Sequence, residues 1–355
     1  MTLFNIQTES VKSNGRYNAA GKPIFDTIKT LERVGSTNLP NVRSVANVFD
    51  GKFTTRNKLR KFFFDVQALD EVVIQYPLYM SYGAVVQLLR FLVKQRVEIT
   101  FFVHDINSLR LSKDSTIKGI GHTNNPRRSL QNELHLLSYA SQVIVPTLAM
   151  KNFLSDHGLS KPYAVLNLYD YLDGSKALGA SDDVVTVPQN IVFAGNLTKA
   201  AFLAQVKPSY DISYQVFGIQ PQNFQLSPFV DYLGAFPADE LVNHFKPGFG
   251  LVWDGNSISG VSGVLGNYLR YNSPFKASMY ISAGLPIIVW NESAIAEYVK
   301  HNNLGIVASS LNDAEKQIHL LTVSDYNSMR ENINHLARLM SQGEMALTAF
   351  KARSD

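Results

Sequence analysis

The chain contains no cysteine, and that absence removes several kinds of chemistry at once. There is no disulfide scaffold, no thiolate nucleophile, no cysteine-held zinc and no iron–sulfur cluster, and the composition fits a reducing, cytoplasmic setting. Long apolar runs are missing as well. The best stretches, Ile99 to Val103 and Leu285 to Trp290, are strand-sized, far short of the roughly 18 residues that span a membrane. The opening MTLFNIQTESVKSNGRYNAAGKP has no apolar core flanked by basic residues and no small-residue cleavage site, so no secretion signal is expected. A large charge excess is absent too: 33 Lys plus Arg against 29 Asp plus Glu leaves +4, which favours an anionic ligand and carries no nucleic-acid footprint.

Several site signatures are also missing. Neither an HExxH pair nor a DxD arrangement stands at a strand end, and Asp182-Asp183 falls in a linker-like stretch, so no metal is expected. Gly260, Gly263 and Gly266 do not form GxGxxG, and no acidic residue follows about 20 positions later, which disfavours a dehydrogenase. Gly15 to Lys22 has five residues between its glycines instead of four, and Pro23 stands where a P-loop needs Ser or Thr.

What is present is an α/β pattern. At 355 residues the chain exceeds what one core usually supports, so two domains are expected. Short apolar runs at 71–76, 98–103, 142–146 and 163–168 are continuous rather than alternating, which implies strands buried on both faces of a parallel sheet. Between the first two, SYGAVVQLLRFLVKQ carries apolar residues at helical spacing, completing a βαβ unit. A second series follows at 190–194, 212–217, 249–253, 286–290 and 305–307. The expected organisation is a Rossmann-like domain over 1–170, a linker over 171–188, a second Rossmann-like domain over 189–335, and a C-terminal helix over 336–355 that packs back on the first. Such a pair leaves a cleft at its strand ends, where these folds bind ligands.

The most informative segment runs from Phe249 to Trp290. A buried strand ends at Trp253-Asp254, a Gly-bearing loop follows, and a helix opens at Ser273-Pro274-Phe275-Lys276. Ser273 suits an N-cap and Pro274 the first helical position. Helix starts attract anions, and Lys276, disfavoured by the dipole there, is best explained by an anionic ligand rather than as a solvated surface residue. Tyr268 and Tyr271, with Asn272, stand next to that point.

The ordered set FFVHD (101–105), FAGN (193–196), FGLVW (249–253), YNSPFK (271–276) and SAGLPIIV (282–289) resembles the glucosyltransferase-3, or GtfC-like, sugar transferases that extend the glycans of serine-rich repeat adhesins, a group often grouped with β-1,6-galactofuranosyltransferases. The resemblance covers nearly the whole chain and implies a GT-B fold. It implies a hexose transferred from a UDP-sugar, UDP-glucose or UDP-GlcNAc before UDP-galactofuranose, to a GlcNAc-modified adhesin or a cell-surface glycan. No cofactor is implied, and a homo-oligomer is, with a peripheral membrane contact left open. Lys276 would meet the donor diphosphate, joined by Gly195, Asn196, Thr198 and Lys199 of GNLTK. Lys199 stands where a relative has arginine, keeping the charge without the bidentate fork; the competing reading of GNLTK is a plain strand-to-helix turn.

In the first half, the same architecture puts the loop bearing Asn14, Gly15 and Asn18 on the acceptor side, with Tyr76 after EVVIQ as another candidate. His104-Asp105 follow directly after a buried strand. An inverting transfer needs a base for the acceptor hydroxyl; Asp105 is favoured, with His104 contacting sugar or exchanging roles with it. The alternative for Asp105 is an N-cap of the next helix. A different class also fits: a catalytically silent nucleotide-sugar-binding subunit, which would keep Lys276 and lose the base.

Overall fold

The computed structural model describes residues 1–7, 21–39, 42–44, 52–110, 126–172 and 184–352. The chain divides into two compact units. The first takes the start of the chain, Ile24–Leu166 and the last residues from Ala346; the second takes Lys22, Pro23 and Asn167–Met345.

The first unit is built on six parallel strands, β1 (Leu3–Ile6), β2 (Thr37–Asn38), β3 (Glu71–Tyr76), β4 (Glu98–Val103), β5 (Gln142–Val145) and β6 (Tyr163–Val165), in the order β2-β1-β3-β4-β5-β6. Its helices are α1 (Lys22–Arg33), α2 (Lys52–Phe62), α3 (Tyr82–Lys94), α4 (Asn107–Arg110), α5 (Pro126–Leu137) and α6 (Leu148–Asp156). Strands β3 and β4 pair residue for residue from Glu71↔Glu98 to Tyr76↔Val103, and only Glu98 of the twelve is exposed. This explains their unbroken apolar character: helices cover both faces. Helix α3 starts where Ser81 accepts the Ala84 N–H, and it buries Ala84, Val85, Leu88, Leu89 and Leu92, one stripe at helical spacing.

The second unit repeats the plan with β7 (Asn190–Ala194), β8 (Ser213–Phe217), β9 (Val230–Gly234), β10 (Phe249–Val252), β11 (Ile287–Trp290) and β12 (Gly305–Ala308), all parallel in the order β12-β11-β10-β7-β8-β9. Helices α7 (Ala238–Leu241), α8 (Gly263–Asn267), α9 (Phe275–Ser282), α10 (Ala296–His301), α11 (Leu311–Leu320), α12 (Val323–Gln342) and α13 (Glu344–Lys351) complete the chain. The sheet sorts its residues by alternation. Val192, Ala194, Val252, Ile287 and Val289 pack with α9 and α12 on one face, while Ile191, Phe193, Leu251, Trp253 and Ile288 pack with α11 on the other. Helix α12 opens with a capping box of Thr322 and Asp325 and ends on Gly343 at φ 85°.

The continuous apolar runs all appear as strands within a residue or two of their expected ends, apart from β6, which stops at Val165. Besides β1 at the start of the chain, two strands lie outside these runs. The β2 strand has two residues, and β9 is an edge strand whose Asp231, Tyr232 and Leu233 are all exposed, so neither burial nor alternation marks it. Between β9 and β10 the chain forms α7 followed by a 3₁₀ turn, Val242–His244. Leu168 and Tyr171 belong to the second unit's core, whereas Gln142 donates from Nε2 to the Ala352 carbonyl (3.1 Å) within the first. Most of the linker-like stretch, 173–183, lies outside the described residues. No helix among those described is long and apolar enough to cross a membrane.

Candidate active site

In the second unit, the C-terminal ends of β7, β8 and β10 are pressed together. Gly195 N–H donates to the Phe217 carbonyl (3.1 Å), and a Cβ at Gly218, where φ is 143°, would lie 2.1 Å from the Gly195 carbonyl oxygen, so only glycine fits there. The Gly255 N–H donates to the Lys199 carbonyl (2.7 Å), and the Phe202 N–H donates to the Gly255 carbonyl (3.2 Å). These bonds lock the GNLTK turn against the residues that follow β10. Asn196 caps that turn: its Oδ1 accepts the Thr198 N–H (3.0 Å) and the Thr198 hydroxyl (2.6 Å). The turn reading of Asn196 and Thr198 therefore holds as geometry, whatever ligand the exposed pair also meets.

Helix α9 enters the same corner. Its N-cap is Pro274, one residue later than expected, and no side chain caps the helix. The Ala277 N–H donates to the Pro274 carbonyl (2.9 Å), and the N–H groups of Phe275 and Lys276 are left to another acceptor. Ser273, expected as the cap, is instead buried with its Oγ unbonded, and the Asn272 Oδ1 is likewise buried without a partner. Lys276, in the first turn, reaches to the end of β10. Its ammonium donates to the Trp253 carbonyl (3.0 Å), pairs with Asp254 Oδ1 (2.7 Å) and lies over the Phe193 ring, 4.9 Å from its centre. Both members of the ion pair are only 15% exposed. An ammonium has three N–H donors, so two are committed to the strand end and one remains for a ligand.

The structure thus brings Lys276, Lys199, Asn196, Thr198 and Gly195 into one corner, with Asn272 beside the start of α9. Sequence reasoning missed Asp254, although it stands at the strand end it singled out. Tyr271 is half-buried, but Tyr268 is 4% exposed and turns into the protein, because its turn packs inward and its carbonyl accepts the N–H groups of Tyr271 and Asn272. Tyr268 is therefore corrected from ligand contact to support.

A polar row crosses the sheet of the first unit. Gln75 Nε2 donates to Asn5 Oδ1 (2.8 Å), and Asn5 Nδ2 lies 3.4 Å from Asn38 Oδ1. With its amide so oriented, Gln75 presents Oε1 to His104 Nε2 at 2.6 Å. That nitrogen must carry the proton, which leaves Nδ1 able only to accept. Burial holds the imidazole neutral, with its pKa down to about 3. Next to it, Asp105 forms an ion pair with Arg110, both side chains partly exposed. The two expected base candidates thus sit side by side after β4, in different environments.

Tyr76 is corrected. It is fully buried, and its hydroxyl donates to Glu133 Oε1 (3.0 Å), so it does not line a ligand surface. Glu133 also accepts the N–H groups of Asn107 (2.9 Å) and Ser108 (2.8 Å), capping α4 from a neighbouring helix; Asp105 is not that cap. Burial pushes the Glu133 carboxyl up against the pull of these bonds, and burial beside Glu133 pushes the Tyr76 hydroxyl well up. Asn14, Gly15 and Asn18 lie outside the described residues. Among those described, no three His, Asp or Glu side chains stand together as a metal site would require.

Two family models cover most of the chain: the glucosyltransferase 3-like N-terminal domain matches residues 7–168, and the glucosyltransferase 3-like C-terminal domain matches 191–352. Among similar curated proteins, the β-1,6-galactofuranosyltransferase WbbI of Escherichia coli is 25% identical over 328 residues, 91% of this chain and 90% of the relative. Glucosyltransferase 3 of Streptococcus gordonii is 26% identical over 221 residues, 59% of this chain and 60% of the relative. Among solved structures, HepE of Anabaena, in complex with UDP and glucose, aligns over 98% of both chains with a TM-score of 0.56 at 13% identity. A glycosyltransferase from Rickettsia africae aligns over 99% of both, TM-score 0.56, at 12% identity.

Proposed function

The chain belongs to the glucosyltransferase 3-like family, with the two-unit parallel-sheet plan of a GT-B glycosyltransferase, and from that premise we propose that it moves a hexose from a UDP-sugar to a sugar hydroxyl. The observation that carries the reading furthest is the corner of the second unit: an uncapped helix start, a lysine held by Asp254 and Trp253 with one N–H left over, and the GNLTK turn bonded to the same backbone. Such a corner suits a diphosphate, whose oxygens take backbone N–H groups and an ammonium together.

In the reaction, an acceptor oxygen attacks the anomeric carbon, the bond from that carbon to the β-phosphate oxygen breaks, and the electron pair leaves with UDP. Lys276 and the α9 N–H groups stabilise the charge that builds on the diphosphate, and Lys199 adds to them. The acceptor's proton goes to a base, and a single displacement inverts the anomeric configuration. Asp105 is the better base, since protonating the buried His104 imidazole is penalised by burial, whereas Asp105 is a partly exposed carboxylate beside Arg110. His104, buried and held by Gln75, then orients the strand end and loop that carry Asp105.

Relatives of similar identity carry different sugars in their names, glucose in one and galactofuranose in another. UDP-glucose and UDP-GlcNAc are the favoured donors, and a GlcNAc-bearing glycoprotein or surface glycan the acceptor. The test is UDP release and product mass with each of the three UDP-sugars and a GlcNAc-serine acceptor. Turnover with one donor supports the reading. Tight UDP binding with no turnover on any donor overturns it in favour of a binding subunit. A homo-oligomer is part of the same reading and is checked by light scattering.

A further inference from the structure

A second feature of the first unit lies at the opposite end of its sheet from His104. Helix α2 carries Arg56, Lys58, Arg60 and Lys61 with no acidic residue anywhere in its eleven positions, KFTTRNKLRKF. Thr55, Leu59 and Phe63 are buried at a spacing of four, so the helix lies on the protein along one stripe and turns Arg56, Arg60 and Lys61 to solvent. Directly after it, Phe64 is 82% exposed.

One contact ties the end of this helix to α3, and two more tie the turn that follows it to the end of α3 and to the start of the chain. The Phe63 ring stacks on Phe91 of α3, 5.9 Å between centres. The Leu69 N–H donates to the Arg96 carbonyl (2.9 Å), and Thr2 N donates to Asp70 Oδ1 (2.6 Å). Leu69, Val93 and Arg96 also line a common shallow groove of about 610 Å³. This end of the unit thus carries four exposed apolar side chains, Met1 (76% exposed), Phe64, Leu69 (68%) and Val93 (49%), of which Leu69 and Val93 share the groove. Around them are five exposed cations, Arg56, Arg60, Lys61, Lys94 and Arg96, against two exposed acids, Asp65 and Glu98.

Apolar tips set among cations match one kind of partner, a surface with negative headgroups above hydrocarbon. We propose that this face docks the protein on an anionic phospholipid bilayer, with Phe64 and Leu69 inserting at the interface and the cations of α2 and the end of α3 meeting the headgroups. The docking end is the N-terminal edge of β3 and β4, so His104 and Asp105 at the other edge stay clear of the lipid.

The test is co-sedimentation of the full chain with vesicles. Binding is expected to phosphatidylcholine vesicles containing phosphatidylglycerol, and not to phosphatidylcholine alone, and to fall steeply as salt is raised. The double variant Arg60→Glu/Lys61→Glu is expected to weaken partitioning by at least about 25-fold, about fivefold per cation removed. Phe64→Ser is expected to weaken it by about tenfold. Both variants should release UDP from a UDP-sugar at the unaltered rate with a soluble acceptor, and their circular dichroism melts check that they fold. Lys207→Glu/Lys300→Glu makes the same change in net charge elsewhere and should bind vesicles as the parent does. Failure of the parent to bind anionic vesicles overturns the proposal, as does equal loss in the Lys207/Lys300 control. Binding to polyglutamate with none to anionic vesicles also overturns it, in favour of an acidic protein partner.

Discussion

Replacing Lys276 by alanine tests the donor corner most directly. The ammonium lies 2.7 Å from Asp254 Oδ1, and a phosphate oxygen hydrogen-bonded to it would lie about 2.8 Å away on another side. The carboxylate and that phosphate oxygen are then at most about 5.5 Å apart, so with an effective dielectric of about 20 two unit charges there repel by about 3 kcal/mol or more. Lys276 bridges and masks this repulsion. Its loss removes a charge-assisted hydrogen bond of about 1.5–3 kcal/mol and uncovers part of the repulsion. The expected cost to UDP binding is about 2–4 kcal/mol, or about 30- to 900-fold in Kd. Isothermal titration calorimetry with UDP measures it. The double variant Lys276→Ala/Asp254→Asn isolates the second contribution: it should regain at least about tenfold over Lys276→Ala, because the uncovered charge is gone. Asp254→Asn alone should bind UDP as well as the parent or more tightly. UDP affinity within twofold of the parent in Lys276→Ala would refute the phosphate site, and a double variant no better than the single would refute the masking role of the pair.

Other expectations concern the frame around the two strand ends. His104 has its pKa lowered to about 3 against 6.5 when unfolded, so the unfolded chain binds the extra proton and stability is full above pH 6.5 and lost as pH falls toward 3. At pH 5.5 this amounts to about 1.4 kcal/mol, and urea melts should show the parent losing that much more than His104→Gln between pH 7.5 and 5.5; equal losses would rule the group out. Tyr76→Phe leaves the buried Glu133 carboxylate one donor short and should cost about 1–3 kcal/mol in a denaturant melt, with UDP affinity unaltered. Gly250→Ala would put a Cβ 2.1 Å from Cγ of Tyr280, whose hydroxyl accepts the Ala194 N–H at 2.7 Å, so the ring must leave its place. A loss of about 1–3 kcal/mol is expected, together with weaker UDP binding because the end of β7 loosens; a melt unchanged from the parent would contradict it.

Local chemistry was legible and distant partnership was not. The strands β3, β4, β7, β10 and β11 announce themselves because helices bury both their faces, which forces unbroken runs of β-branched and aromatic residues. The edge strand β9 escapes because an edge buries little, and VDYLG carries no pattern that burial would impose. The corner around Lys276 was readable for a similar reason: a strand end, a glycine-bearing loop and a lysine in a first helical turn are all local, and the last is unfavourable enough to demand a cause. What that cause includes was hidden. Asp254 is 22 residues from Lys276, Glu133 is 57 from Tyr76 and Gln75 is 29 from His104, and in each case the partner decides the role. Tyr76 looks like a loop aromatic until Glu133 claims its hydroxyl. His104 looks like a candidate base until Gln75 Oε1 is seen to accept its Nε2–H and burial to lower its basicity, which agrees with the preference for Asp105. Residue types mark where a site stands; the long-range bonds that the sheet register creates determine which atom at that site accepts a proton.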